Sequence, residues 1–290
     1  MRARLEEVGA VFLTGYHRAV ECADAKAVCT SLRQVDKELR GFAFEGASMG
    51  LALLDWFAPW NSRLLNLMTE GEGNSHIYML HVGAGWLGAR LPFGFRRTLR
   101  RMDPLLRWLA FDGWGFHEGF FHWKNHIEGQ LAPKQLSGYE RRVFDQGLGR
   151  SFWFVNGGNA GLIAETISSF APERRSDLWS GIGLAATYAG IGTEESLTCL
   201  RSRCGPFLPS LAQGAAFAAK ARDRAGNATD YTDFAARILC NTSVAEAAQI
   251  TDAAVENLAG TPDEPAYEIW RRRIQHRLVT GAQQMKALYE

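Results

Sequence analysis

The sequence predicts an all-α protein made of stacked antiparallel helical hairpins, and three observations support that prediction. Apolar residues recur at helical spacings along most of the 290 residues. No long segment alternates apolar and polar residues in the manner of a half-buried β-strand. Segments rich in glycine and alanine return roughly every 30–40 residues, which is the period expected of repeated helical hairpins.

The first half of the chain divides into helical segments separated by clear breaks. Pro59, a glycine-rich run at 71–74 and Pro92 interrupt the pattern, because proline and clustered glycines end helices. Asp103-Pro104 is a typical helix start and leads into the next helix. The predicted helices lie at 11–22, 24–40, 41–57, 61–70 and 75–90, followed by a basic stretch at 96–101 and, near the C-terminus, by helices at 229–240, 242–258 and 264–288.

The recurring small residues indicate a tetratricopeptide-like α-solenoid, in which they let the two helices of a hairpin pack closely. A second, longer period is also present. Gly-Tyr-His at 15–17 recurs as Gly-Phe-His at 115–117, and the paired glycines of 83–85 recur at 181–183. These offsets predict an internal duplication of about 100 residues. The prediction is a single all-α domain, 1–290, with two related halves (11–100 and 111–205) and a C-terminal helical segment (206–290).

Composition excludes several classes of protein. Lys and Arg total 32 against 31 Asp and Glu, a net charge of +1, so nucleic acid and an anionic membrane are not expected partners. The five cysteines show no zinc-binding spacing and are expected to be reduced. No stretch approaches the ~20 apolar residues of a membrane helix, and the N-terminus lacks secretory architecture. We therefore expect a soluble, cytoplasmic protein without a membrane span.

The segment 111–123, FDGWGFHEGFFHW, is the strongest candidate for a functional site. It combines four phenylalanines and two tryptophans with ionisable groups that need partners if they are buried. His117 and Asp112 could form a carboxylate–imidazole pair for general acid–base catalysis. Asp112 could equally cap the N-terminus of a helix. We predict that His117, Glu118 and Asp112 are catalytic.

Glu118, His122 and His126 follow one another at four-residue intervals and raise the question of a metal site. The spacing HEGFFH matches neither the H-E-x-x-H of zinc proteases nor the Glu-x-x-His of di-iron helix bundles. The alternative is that His122 and His126 form hydrogen bonds to neighbouring helices, and that alternative is favoured. No cofactor is therefore expected, with a transition metal as the less favoured interpretation.

A second group of ionisable side chains lies in otherwise apolar helices. Glu45 needs a partner if it is buried, and Asp145, Gln146 and Arg150 occupy the equivalent place in the second half. Arg150 could pair with Asp145 or with Glu45 across the interface between the two halves. Alternatively, the whole group could line a cavity between the halves. Aromatic walls would suit an apolar ligand in that cavity. The predicted ligand-binding residues are Glu45, Phe111, Trp114, Phe116, His122, Trp123, Asp145, Gln146 and Arg150, with Phe120 and Trp153 as further wall residues.

Five motifs are long and unusual: FEGASMGLALLD (44–55), HVGAGWLGARLP (81–92), LLRWLAFDGWGFHEGFFHW (105–123), RRVFDQGLGRSFWFV (141–155) and DLWSGIGLAATYAG (177–190). They resemble the UnbL-type proteins of the conserved enediyne cassette in actinobacterial gene clusters. The resemblance covers most of the chain and implies a genetic association with conversion of a linear polyene into the enediyne core. It also implies an apolar polyene-type small molecule and other enediyne-cassette proteins as partners, and a further segment before residue 1. No catalytic residue can be carried over from it.

Two functional hypotheses follow. In the first, the protein is a biosynthetic enzyme or enzyme subunit that holds a flat, apolar polyene in a helical groove. In the second, it is a helical-repeat scaffold that docks partner proteins and has no chemistry of its own. The first hypothesis requires the ionisable groups of 112–122 to converge on a cavity, whereas separate and satisfied hydrogen bonds favour the second. Glycine-rich faces and surface aromatics are compatible with a homo-oligomer.

Overall fold

Helices of α, 3-10 and π type account for the regular structure in the described part of the chain. The computed structural model describes residues 2–261 and 264–289, with side chains for 3–261 and 264–280. No strand lies within these ranges, so the all-α prediction is confirmed. The α-helices are α1 (Arg2–Cys22), α2 (Ala25–Leu32), α3 (Arg40–Phe57), α4 (Arg63–Thr69), α5 (Gly71–Ser75), α6 (Ile77–Arg90), α7 (Phe95–Arg101), α8 (Leu109–Phe121), α9 (Tyr139–Val155), α10 (Ala160–Ser169), α11 (Pro172–Tyr188), α12 (Glu194–Arg203), α13 (Leu208–Arg224), α14 (Asp230–Cys240), α15 (Val244–Ala253) and α16 (Ala266–Tyr289).

Some predicted boundaries shift because a turn ends a helix early. The segment predicted as one helix over 24–40 is helical only to Leu32. In the turn that follows, the Asp36 carboxylate accepts a hydrogen bond of 2.8 Å from the Glu38 amide. A side chain that binds a nearby backbone amide in this way competes with helix formation.

The long helices form one row in which each packs against the next. The row runs through α1, α3, α6, α8, α9, α11 and α13. The shorter helices α2 and α4, and likewise α10, α12 and α14, contact one another in a second layer. Hydrogen bonds join residues 34 positions apart on neighbouring long helices, as between Ser176 and Ser210 and from Arg222 to the Tyr188 carbonyl. This equal separation means that α11 and α13 run in the same direction, while the shorter segment between them returns the chain.

Glycine pairs bring the helices of this row into close contact. On α6, α8, α9 and α11, two glycines lie two positions apart, the first facing the preceding long helix and the second the next. A Cβ atom at Gly113 would lie 1.9 Å from the Val82 carbonyl oxygen, and one at Gly115 would lie 2.0 Å from that of Phe144. These small residues therefore serve contacts between successive long helices. The expectation that they join the two helices of one hairpin is wrong.

The same arrangement accounts for the 100-residue offset in the sequence. Gly15 on α1 faces the next long helix as Gly115 on α8 does, and three steps along the row separate them. Gly83 and Gly181 are also three steps apart, and each faces the preceding helix. Recurrence of one helix pair at intervals of roughly 33 residues is therefore sufficient to produce the offset. The internal duplication stays a prediction.

The row curves until its later members meet its beginning. Arg222, near the end of α13, donates hydrogen bonds of 2.6 Å to the carbonyl oxygens of both Glu38 and Tyr188. The Tyr188 side chain also lies against Gly41, where an added Cβ would be 1.9 Å from the hydroxyl oxygen. This closure joins α11 and α13 to the start of α3. A cleft remains on the inner side of the row.

Candidate functional site

The cleft on the inner side of the row has a volume of about 500 Å³ and a mainly apolar surface. Helices α1, α3, α6, α8, α9 and α11 all contribute to it. Its charged or imidazole lining residues are Glu45, Arg90, His117 and Arg150. Its aromatic lining residues are Phe12, Tyr16, Phe42, Trp86, Phe116, Phe120, Phe121, Phe154 and Tyr188.

The positions that face the cleft follow from the glycine contacts. Helices α1, α6, α8, α9 and α11 each carry a glycine that faces the next long helix. The residue directly after this glycine lines the cleft in every case, namely Tyr16, Trp86, Phe116, Arg150 and Leu184. The residues one helical turn later also line it, namely Arg90, Phe120, Phe154 and Tyr188. Because residues four apart share a helix face, each long helix turns one face toward the cleft.

Trp86 is the centre of an aromatic wall. Its ring centroid lies 4.3 Å from that of Phe12 and 5.6 Å from that of Phe116. Phe121 meets it edge-on at 5.8 Å. Phe116 in turn meets Phe154 edge-on at 5.2 Å. Such tilted and edge-on contacts are the favoured geometries of aromatic rings and hold the wall in a defined shape.

Arg150 places a buried cation at the base of this wall. Its guanidinium carbon lies 4.8 Å from the centroid of the Phe116 ring, a cation–π contact. Its Nε lies 2.8 Å from Oδ1 of Asp112, and its Nη2 lies 3.9 Å from Oε1 of Glu45. Nη2 is buried and has no hydrogen-bond partner among the described residues. This atom can therefore donate to an acceptor that enters the cleft.

Glu45 lines the cleft as a buried carboxyl group whose titration is shifted to near neutrality. Burial raises its pKa to about 7; the Arg150 guanidinium and the hydrogen bond from Trp86 lower it in part, and the charge of Asp112 raises it. The Trp86 Nε1 donates that hydrogen bond to Oε1 across 3.1 Å. A carboxyl group with this pKa can both release and accept a proton at neutral pH.

Asp112 lies behind the cleft, in a row of polar side chains. Gln146 donates a hydrogen bond of 2.8 Å to its Oδ2, and burial raises the pKa of its carboxyl against the opposing effect of Arg150. The row continues with Ser180, which donates to Gln213 at 2.9 Å. Asp112 is the fourth residue of α8, so the alternative that it caps this helix is wrong. The expected pairing with His117 is wrong as well, because Asp112 pairs with Arg150 and Gln146, and neither ring nitrogen of His117 has a hydrogen-bond partner among the described residues.

Three imidazoles surround the Glu118 carboxylate. Oε2 lies 2.7 Å from Nδ1 of His122 and 3.2 Å from Nε2 of His126, while Oε1 lies 3.6 Å from Nδ1 of His117. Burial by itself would raise the pKa of Glu118, but the imidazoles of His117, His126 and His122 lower it far below its ordinary value. The expectation that His122 binds a neighbouring helix is wrong, since it binds Glu118 of the helix that it follows. His126 lies beyond the end of α8 and contacts both Glu118 on that helix and the Leu131 carbonyl.

The other predicted ligand-binding residues lie away from the cleft. Phe111 and Trp114 pack against Phe95, with ring centroids 5.9 and 5.5 Å away. The Asp145 carboxylate forms an ion pair with Arg174, whose Nε lies 2.8 Å from Oδ2. Trp123 is 39% exposed at the surface. Five of the residues predicted from sequence line the cleft: Glu45, Phe116, His117, Phe120 and Arg150. Asp112 and Gln146 lie behind it, and Glu118 and His122 adjoin His117. Trp153 is buried elsewhere.

Sequence reasoning missed several aromatic residues of the cleft. Phe12, Trp86, Phe154 and Tyr188 lie on four different helices, which the packing of the row brings to the same cleft. Their position one or five residues after a repeated glycine was a usable signal for Trp86, Phe154 and Tyr188. No comparable signal marked Phe12, which lies one turn before Tyr16 on α1.

Comparison with known proteins identifies a family. Residues 1–278 match the family model described as "Protein of unknown function (DUF1702)". No curated protein and no solved structure shows significant similarity to the chain. In the described part of the chain, no helix has both the length and the apolar character needed to cross a bilayer.

Proposed function

The chain belongs to the DUF1702 family, and we propose that it is an enediyne-biosynthesis protein whose cleft binds a linear, apolar polyene or polyyne. The observation that carries this proposal is the cleft itself, which combines an aromatic wall with very few polar groups. Its volume of about 500 Å³ is in the range of small-molecule sites. The resemblance of five sequence motifs to UnbL-type proteins supports the choice of ligand.

A conjugated polyene matches the shape and chemistry of this space. Such a molecule is flat and apolar, so it can stack on or meet edge-on the rings of Trp86, Phe116 and Phe154. The Nη2 atom of Arg150 is a buried donor without a hydrogen-bond partner among the described residues, which suits a carbonyl or carboxylate at the end of the ligand. The ligand therefore enters with its polar end toward Arg150.

Two ionisable groups of the cleft support a role in conversion of the ligand to the enediyne core. The Glu45 carboxyl titrates near neutral pH, and the His117 imidazole lines the same space. The Glu45 carboxyl can exchange a proton with a bound molecule, and the His117 imidazole can contact it. Asp112 and Glu118 act through these groups in this proposal, because Asp112 holds Arg150 and Glu118 adjoins His117. The ionisable groups of 112–122 thus converge on the cleft only in part.

A non-catalytic scaffold that docks other enediyne-cassette proteins is the second candidate. The observation that favours it is a set of exposed aromatic side chains at the ends of α3 and α6. Phe57 is 67% exposed, Trp60 80% and Phe93 86%. Trp56 connects this set, since its ring meets Phe57 at 5.0 Å and its Nε1 donates to the Phe93 carbonyl at 2.7 Å. Large exposed aromatics of this kind are typical of protein–protein interfaces.

We also propose that the row of long helices is an α-solenoid of the tetratricopeptide-like kind that grew by repetition of one helix pair. The regular glycine contacts between successive long helices support this proposal. A duplication of about 100 residues would then correspond to three such pairs.

A cleft-blocking variant tests the proposed function in a host that carries an enediyne gene cluster. Gly9 lies on α1 at the cleft, and an added Cβ there would meet no atom within 4 Å. Gly9→Phe therefore adds a large side chain at the lining of the cleft without a clash at its Cβ, and we expect loss of the enediyne product. Gly71→Phe is the matched control, because Gly71 also has open space and lies away from the cleft. Full product yield with Gly9→Phe, together with loss of product with Trp60→Ser, would instead establish the scaffold.

A further inference from the structure

We propose that His117, Glu118 and His122 bind a divalent first-row transition metal ion beside the cleft. Each of these residues offers one ligand atom, and the three atoms lie within 4.8 Å of one another. That spacing allows a single ion to contact two imidazole nitrogens and one carboxylate oxygen. The site stands apart from the polyene proposal, because metal binding can be measured without any organic ligand.

His117 supplies an independent indication that a ligand belongs here. Its side chain is fully buried, at 0% exposure, and neither ring nitrogen has a hydrogen-bond partner among the described residues. The nearest carboxylate oxygen, Oε1 of Glu118, is 3.6 Å away, beyond hydrogen-bond distance. A buried imidazole without partners is unfavourable and uncommon. Coordination of a metal would satisfy one of its nitrogens.

His126 contacts one of the three proposed ligands, Glu118. Its Nδ1 lies 2.8 Å from the Leu131 carbonyl oxygen, so this nitrogen carries a proton and donates it. Its Nε2 faces Oε2 of Glu118 at 3.2 Å. Metal-binding histidines commonly donate one ring N–H to a backbone carbonyl, which orients the other nitrogen toward the metal. His126 is therefore positioned as a partner that orients Glu118.

The local backbone explains how these groups meet. Helix α8 ends at Phe121, and His122 follows as its C-cap with φ −123° and ψ 36°. A π-helical turn over Lys124–Glu128 comes next, and it returns His126 toward Glu118. Single π turns are often found at functional sites. In a continuous α-helix, His126 would lie about two turns beyond Glu118 and could not contact its carboxylate.

The donor types restrict the metal. Two imidazoles and one carboxylate suit zinc, iron, cobalt, nickel or copper, whereas magnesium and calcium prefer oxygen ligands. His117 also lines the cleft, so an ion on this residue has one side toward the space proposed for the polyene. Three protein ligands leave a coordination position for water or a bound molecule. The arrangement therefore places a Lewis-acidic or redox-active ion next to the cleft.

Cobalt(II) alone is a suitable probe, because its visible absorption reports coordination by nitrogen ligands. The full chain is first dialysed against a chelator and then titrated with Co²⁺, and we expect saturation at one equivalent. His122 is half-exposed, so His122→Asn is expected to fold normally and to weaken binding more than about tenfold. Glu118→Gln should do the same. His17→Asn is the matched control, since His17 is exposed on α1, and it should bind Co²⁺ like the unaltered protein.

Absence of one-equivalent binding in the unaltered protein would overturn the proposal. The same conclusion would follow if His122→Asn and Glu118→Gln both bound Co²⁺ with unchanged affinity, because the ion would then lie elsewhere. Circular dichroism of each variant checks that the fold is retained. Failure of the cobalt titration would leave the polyene proposal intact, since that proposal is tested by blocking the cleft.

Discussion

The Trp86 indole on α6 donates a hydrogen bond of 3.1 Å to the Glu45 carboxyl on α3, and both side chains line the cleft. This contact links a buried ionisable group to the centre of the aromatic wall. It means that the shape of the cleft and the protonation of Glu45 depend on each other.

Glu45 is expected to make the free energy of unfolding depend on pH between about 4.5 and 7. Burial raises its pKa from 4.5 to about 7, so the folded state binds a proton more tightly than the unfolded state. Its contribution to stability is fully present below pH 4.5 and is lost as the pH rises through 7. Relative to Glu45→Gln, the unaltered protein should therefore lose roughly 3 kcal/mol across this window.

Urea unfolding at pH 5 and pH 8 measures this difference. Glu45→Gln keeps an oxygen that can accept from Trp86, so the variant isolates the ionisation. An identical pH dependence for the two proteins would show that Glu45 ionises normally in the folded state.

The ion pair between Arg150 and Asp112 is expected to be essential for folding stability. Both side chains are buried, and Arg150→Met would leave the Asp112 carboxylate without its cation. Loss of one partner of a buried pair costs roughly 3–5 kcal/mol. Adding Asp112→Asn to the Met variant should recover part of that loss, because the unpaired charge is removed.

A matched surface pair provides the control for this experiment. Arg96 forms an ion pair with Glu140, and its side chain is 51% exposed. Arg96→Met should cost at most about 1 kcal/mol in urea unfolding. If Arg150→Met and Arg96→Met lowered the free energy of unfolding equally, the buried ion pair would contribute no more to stability than the surface pair.

Glycine contacts between long helices predict opposite effects for two Gly→Ala substitutions. At Gly115 the new methyl group would lie 2.0 Å from the Phe144 carbonyl oxygen, so α8 and α9 must separate. We expect destabilisation of about 1–3 kcal/mol or more. At Gly9 on α1 the methyl group meets no atom within 4 Å, and the better helix propensity of alanine should stabilise by about 0.5–1 kcal/mol. Thermal unfolding of the two variants tests this, and a stabilised Gly115→Ala protein would contradict the close packing.

The sequence predicted the all-α class because helical periodicity is local and strong. It also singled out Glu45, Phe116, His117 and Arg150, since ionisable groups among apolar residues need a special environment. It did not predict Trp86 as their partner, because the contact between α3 and α6 in space depends on how the row curves.

Within α8, helical geometry separates residues that are close in sequence. Phe111 and Trp114 turn toward Phe95, whereas Phe116 and Phe120 turn toward the cleft. The division of these aromatic residues between two faces of α8 could not be predicted from sequence, because it depends on the positions of the neighbouring helices. On α8, Gly115 faces the next long helix, and the residue after it, Phe116, lines the cleft.

Binding of a linear conjugated tetraene fatty acid to the purified protein tests the proposed cleft most directly. Quenching of tryptophan emission by the tetraene gives the dissociation constant. Leu13, which is 54% exposed and lines the cleft, and Leu131, which is 59% exposed and does not line it, form a matched pair for substitution. We predict saturable binding at one equivalent, weakened at least about tenfold by Leu13→Gln and unchanged by Leu131→Gln. Equal affinity in both variants, or no saturable binding, would contradict the account.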